Sequence, residues 1–236
     1  MNAIVKSCLT DLSHLLFPHH CEGCGSDSLN EKEILCARCV DGLPATGFFE
    51  ATNNPVEKIF YGRTRINNAA AAYYFTKDSL LQHLMIRLKY RNDKNAGLYL
   101  GKLMGYILQQ AERFTTVDSL IPLPLNEKKE QSRGYNQAAL ICDGISSVWQ
   151  KPVFPHAMVR SRFTETQTKQ GRVSRWQNME GVFSINPDPA AGLNLENRHI
   201  LLVDDVITTG ATLEACASAI LEAGASVSIA TVAFTI

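Results

Sequence analysis

The chain has 236 residues, 45% of them hydrophobic and 19% charged, with 23 basic and 23 acidic side chains. That length admits one α/β domain of ordinary size plus a small appendage and excludes two large domains. Zero net charge excludes a bulk attraction to nucleic acid or to anionic membrane, and no apolar run approaches the roughly 20 residues that span a bilayer.

Residues 3–16 carry Ile4, Leu9, Leu12, Leu15 and Leu16 at helical spacing, interrupted by Lys6, Asp11 and His14. This predicts a short amphipathic helix ended by Pro18, not a signal peptide, and a cytoplasmic protein without membrane insertion. Cys21-x2-Cys24 and Cys36-x2-Cys39 follow, eleven residues apart. Seven cysteines in a reducing compartment do not make a disulfide framework, whereas two such pairs can close a tetrahedral thiolate site on structural Zn2+. His19, His20 and Cys8 stand near as competing donors, and redox chemistry is the alternative use of the pairs. Residues 45–55, small and polar, predict a linker. The boundary is therefore drawn as 1–55 for the helix and ribbon and 56–236 for the larger domain.

Within the larger domain the pattern predicts strands over 58–61 and 70–76, and a helix capped by Ser79 through Leu88. A charged loop over 89–93 precedes a second helix over 96–113. A strand over 117–122 and a helix over 133–149 come next, then short strands near Val153 and over 157–159. From Arg160 to Asn178 the periodicity fails, which predicts a long mobile loop. A strand over 181–185 and a turn-rich stretch over 186–194 complete this part. Two basic clusters fall in the loops: Arg87, Lys89, Arg91 and Lys94, and then Arg160, Arg162, Lys169, Arg172 and Arg175.

The most informative segment is Leu201-Leu202-Val203-Asp204-Asp205-Val206-Ile207-Thr208-Thr209-Gly210-Ala211-Thr212. Ile200–Val203 reads as a buried parallel strand and 211–223 as a helix capped by Gly224. Two carboxylates thus stand at a strand end, where open α/β sheets bind ligands. Thr208, Thr209, Gly210, Ala211 and Thr212 offer backbone N–H groups, hydroxyls and a helix N-terminus to a phosphate. Acids repel a phosphate but accept hydrogen bonds from sugar hydroxyls, so the segment as a whole suits a phosphorylated sugar.

This layout resembles the signature of type I phosphoribosyltransferases, which bind 5-phosphoribosyl 1-diphosphate (PRPP). Lys89-Tyr90, Pro122-Leu123-Pro124-Leu125, Arg133-Gly134-Tyr135-Asn136-Gln137, and Arg162, Thr164, Gln167, Arg175, Asn178, Gly181 and Phe183 extend the resemblance. It covers nearly the whole chain, from Leu16-Phe17-Pro18 on, and is to the competence protein F family (ComF, including GntX-like members). Tyr135 stands where the family usually has Phe, Gln170 where Leu is expected, and Thr208 where purine-salvage relatives carry Asp.

The resemblance implies an α/β fold, a type I phosphoribosyltransferase-like parallel sheet flanked by helices, behind an N-terminal zinc ribbon. It implies that Asp204 and Asp205 take the ribose 2′ and 3′ hydroxyls and that the 208–212 loop takes the 5′-phosphate. Mg2+, Lys89, Arg91 and Arg162 would neutralise a departing diphosphate. No residue presents itself as a base for the acceptor. The family's association with DNA uptake in competence links the chain to that process or to nucleotide metabolism, with single-stranded DNA or DNA-uptake proteins as partners, and gives the alternative, a non-catalytic competence protein that binds PRPP or single-stranded DNA.

Overall fold

The computed structural model describes residues 20–27, 29, 33–160, 182–188 and 194–235, so the expected helix over 3–16 and most of the expected loop after Arg160 lie outside the described residues. Two compact units divide the chain, Met1–Leu43 and Pro44–Ile236. Residues 45–55, read as a linker, lie with the larger unit, where Ala45 bridges Tyr73 and Thr46 Oγ1 donates to the Ala71 carbonyl at 2.5 Å.

In the smaller unit the first cysteine pair occupies a turn closed by Cys21 N–H to Ser26 O at 2.7 Å and Gly25 N–H to Cys21 O at 2.8 Å. The second pair opens a one-turn helix, α1 (Ala37–Asp41), with Cys36 at its N-cap. Among the described residues of this unit, the buried apolar side chains besides Cys21 are Leu29, Ile34, Leu35 and Leu43.

The larger unit begins with α2 (Pro55–Phe60). A strand is expected over 58–61, but the residues form a helix. Asn54 accepts from the Val56 and Glu57 N–H groups, and Pro55 supplies a pre-set φ at the first helical position. β1 (Ala69–Phe75), β2 (Ser119–Pro122), β5 (His199–Ile207) and β6 (Ser226–Thr235) form one sheet in the order β1-β6-β5-β2, with every neighbouring pair parallel. Its strands are near-continuous buried apolar runs, as a sheet covered on both faces requires. β3 (Met158–Arg160) and β4 (Phe183–Ile185) form a separate antiparallel pair.

Helices α3 (Leu80–Tyr90), α4 (Lys94–Gln110), α5 (Glu127–Arg133), α6 (Gln137–Trp149) and α7 (Ala211–Glu222) flank the sheet. Ser79 caps α3 as expected, accepting from Gln82 N–H at 3.1 Å. The helix expected over 133–149 starts at Gln137, capped by Asn136, because Gly134, at φ 76°, ends a separate short helix, α5, in the left-handed region. α4 and α6 meet backbone to backbone, since a Cβ on Gly101 would fall 2.2 Å from the Ile141 carbonyl oxygen. Leu100, Met104, Leu108, Ile141 and Ile145 fill the core beside that crossing.

Candidate phosphoribosyl and thiolate sites

The candidate site lies where β5 outruns its neighbour. β2 ends with Pro122 opposite Val203, and Leu123 N–H donates to the Val203 carbonyl at 2.8 Å before the chain leaves the sheet. β5 continues to Ile207 beside β6, so Asp204 and Asp205 stand where β5 has no strand partner on its β2 side. Asp205 N–H donates to Asp204 Oδ1 at 2.8 Å. Burial first, and then the like charge of Asp205, push the Asp204 carboxyl up to about 8, against the opposing pull of the Asp205 N–H and of Lys89. Burial chiefly raises the thiols of Cys142 in α6 and Cys216 in α7, and the charge of Asp204 adds to both shifts.

The last turn of α3 reaches the same place, with Lys89 and Tyr90 inside the helix where a loop over 89–93 is expected. Lys89 Nζ lies 2.9 Å from Asp205 Oδ2, joining two segments the sequence separates by more than a hundred residues. Arg91 is exposed in the turn after that helix. Arg87 instead fixes the turn. Its Nε lies 2.8 Å from Asp93 Oδ2, while Asp93 Oδ1 caps α4 through Asn95 and Ala96. Arg162 and the other basic residues after Arg160 in the second cluster lie outside the described residues; Arg160 itself ends β3, 5.3 Å over the Phe183 ring.

The 133–137 motif locks this arrangement from below. Tyr135, buried, donates its hydroxyl to the Leu88 carbonyl at 2.5 Å, one residue before Lys89. Phe at this position would lack that bond. Asn136 donates to the Leu123 carbonyl at 3.0 Å while capping α6 through Ala138 N–H at 2.9 Å. Arg133 donates to Gln137 Oε1 at 2.7 Å and lies 5.7 Å from the centre of the Tyr90 ring.

Behind Asp205, residues Thr208–Gly210 turn the chain from β5 into α7. Gly210 sits at φ 72°, and a Cβ there would meet Ile59 Cγ2 at 2.6 Å and the Phe60 ring at 3.2 Å. α2 therefore backs the loop directly. Arg63 straps it from the same side, donating to the Thr209 carbonyl at 3.1 Å and to the Ile59 carbonyl at 3.0 Å while pairing with Glu214 of α7. Nothing in the sequence pattern marks Ile59, Phe60 or Arg63 as parts of a site, because the contact forms only when the sheet is assembled.

In the smaller unit the Sγ atoms of Cys21, Cys24, Cys36 and Cys39 lie within 4.8 Å of one another; His20 is not part of the group. Cys36 N–H donates to Cys21 Sγ at 3.2 Å and Gly23 N–H does so at 3.4 Å. Burial raises the Cys21 thiol, but these N–H groups outweigh it and bring it down to about 6. Burial and the neighbouring sulfurs drive Cys39 the other way, up to about 12. Four thiolates cannot share this volume without a cation, and four soft donors at this separation fit a tetrahedral zinc ion with no open position.

Residues 144–235 match the phosphoribosyl transferase domain family. The chain is 29% identical over 209 residues to the DNA utilization protein YhgH of Escherichia coli O157:H7, covering 87% of this chain and 86% of that one. It is 33% identical over 137 residues to competence protein F of Haemophilus influenzae, covering 56% and 58%. Among solved structures, the glutamine PRPP amidotransferase of B. subtilis aligns with a TM-score of 0.41 and 18% identity over 62% of this chain and 30% of that enzyme, a likeness too slight to bear on function. Among the described residues no helix is long and apolar enough to cross a membrane. The chain is thus a homologue of competence protein F and the YhgH proteins, with a phosphoribosyl transferase domain in its C-terminal part.

Proposed function

We propose that the chain binds PRPP at the end of β5 and transfers its phosphoribosyl group to a nitrogen nucleophile, in a process linked to the use of incoming DNA. The observation that carries this reading is the Lys89–Asp205 contact, which brings a cation for the diphosphate against an acid for the ribose. Asp204 and Asp205 accept hydrogen bonds from the 2′ and 3′ hydroxyls, and Thr208, Thr209, Gly210, Ala211 and Thr212 surround the 5′-phosphate. Mg2+ bound with the donor supplies charge neutralisation to the diphosphate. Lys89, Arg91 and Arg162 add to it as the C1–O bond breaks and a C1–N bond forms, and the acceptor's proton passes to solvent. A small amine or ammonia suits a site with no dedicated base. Zn2+ on Cys21, Cys24, Cys36 and Cys39 holds the ribbon together. The names of the relatives favour a DNA-linked role, which we place in the cytoplasm.

Calorimetry with PRPP tests the reading. Binding is expected only with Mg2+ present, and the double variant Asp204→Asn, Asp205→Asn should lose roughly 1.5 to 3 kcal/mol for each charge-assisted hydrogen bond. Equal affinity in that variant removes the acids from the ribose. Diphosphate release with a panel of amines then separates transfer from binding without turnover.

A second reading has one observation in its favour: Tyr90 is 74% exposed, stacked by Arg133 and close in sequence to Arg91 and Lys94. Single strands bind such aromatic and basic surfaces. Steeply salt-dependent binding of oligo-dT, weakened by Tyr90→Ala, supports it; salt-independent or absent binding removes it.

A further inference from the structure

A second concave site lies between α2 and the start of β1, and the phosphoribosyl reading makes no use of it. It is a cavity of about 310 Å3 lined by Thr52, Glu57, Tyr61, Arg65, Asn67 and Arg113 among others, a size at the lower end of small-molecule sites.

The lining offers three kinds of contact. Glu57 is only 7% exposed, and its Oε1 pairs with Arg113; no other hydrogen bond reaches its carboxylate among the described residues. Its other oxygen is not among the buried atoms left without a partner, so it has access to the cavity space, where it suits an N–H donor brought by a ligand. Arg113 is itself committed, to Glu57, to the Ala51 carbonyl at 2.6 Å and to Asn68 Oδ1 at 2.9 Å, so it fixes the acid and leaves the cavity's electrostatics to others. Arg65 is exposed and makes no ion pair among the described residues, which leaves a cation at the rim. Tyr61, 54% exposed, is held by its hydroxyl donating to Asn53 Oδ1 at 2.8 Å, and adds an aromatic side chain to the same lining.

We infer that this cavity is a nucleotide site, taking a nucleoside monophosphate whose base donates an N–H to Glu57, stacks against Tyr61 and leaves its phosphate to Arg65. No acid of the donor loop and no residue of 208–212 lines it, so its contacts are distinct from those at the end of β5, although Phe60 both lines this cavity and backs Gly210.

The test is calorimetric titration of the full chain with AMP, with ribose 5-phosphate present in excess to fill the phosphoribosyl site. AMP is expected to bind in its presence, and Tyr61→Ala and Arg65→Ala are each expected to weaken binding at least tenfold, with Arg65→Lys restoring most of the loss. Adenosine, lacking the phosphate, should bind weakly and be indifferent to Arg65→Ala. Both side chains are exposed, so unchanged urea midpoints show that the variants fold. Absence of AMP binding, its displacement by ribose 5-phosphate, or equal affinity in the two alanine variants overturns the inference. Failure of ribose 5-phosphate to bind at all counts against the phosphoribosyl site and leaves the variant series readable.

Discussion

Gly210→Ala tests how the phosphate loop is built. Two separate costs arise. Holding an alanine at φ 72° costs about 1 to 2 kcal/mol, because its Cβ crowds the following carbonyl. The same Cβ would lie 2.6 Å from Ile59 Cγ2 and 3.2 Å from the Phe60 ring, and overpacking of that kind costs about 1 to 3 kcal/mol. A total destabilisation of about 2 to 5 kcal/mol is expected from urea unfolding followed by circular dichroism, together with weaker binding of ribose 5-phosphate as the loop is pushed away from α2. Ile59→Ala separates the two costs. It removes the nearest atom but leaves the backbone strain, so the double variant should be more stable than the sum of the singles by about 1 to 2 kcal/mol. A urea midpoint for Gly210→Ala equal to that of the unaltered chain would refute the backing of the loop by α2, and strict additivity would remove Ile59 as the cause.

Asp204 is protonated more readily in the folded chain, at about 8, than an unfolded aspartate, so its contribution to stability falls as pH rises from about 4 to about 8. Asp204→Asn should therefore raise the urea midpoint at pH 8, with the gain shrinking towards pH 4; a gain that grows at acid pH would reverse the sign and the argument. Cys36→Ser should release one zinc per chain, measured by metal analysis, and unfold the smaller unit while the sheet of the larger one keeps its circular dichroism signal. Retention of stoichiometric zinc would mean that other ligands hold it. Tyr135→Phe should cost about 1 kcal/mol through loss of the hydroxyl bond to Leu88, and should loosen the turn that carries Lys89; equal stability by urea unfolding would show that bond to be idle.

What is legible in the sequence is local. The run from Leu201 to Thr212 contains strand, acids, loop and helix start within one stretch, and the parallel sheet follows from apolar runs of strand length separated by helical periods. Ser79 and Gly224 mark ends of their helices by their chemistry. The 58–61 segment is ambiguous because Val56, Ile59 and Phe60 make a short apolar cluster that periodicity cannot assign, although Asn54-Pro55 carries a helix-start signal. The short helix over 127–133 is missed for a different reason: Glu127-Lys128-Lys129-Glu130-Gln131-Ser132-Arg133 holds no apolar residue, so no periodicity marks it. Arg87 looks like a ligand for an anion and is a partner of Asp93, a pairing that depends on how tightly the turn closes. The strap from Arg63 to Thr209 spans 146 positions of sequence, and the seat of Gly210 on α2 spans slightly more, so only tertiary assembly reveals them.

The sheet order has a bearing on how this domain is cut from its chain. The matched stretch, 144–235, starts inside α6 and supplies β5 and β6, yet β6 pairs on its other side with β1 and β5 with β2. An expression fragment that begins at residue 144 would bare both outer edges of a two-stranded core at once, together with the apolar faces that α4 and the first half of α6 cover. Such a piece offers unpaired N–H and C=O groups to any passing strand, the usual start of edge-to-edge aggregation. Residues 44–143 are therefore part of the minimal folding unit, and swapping this domain between relatives should be done at the 43/44 junction.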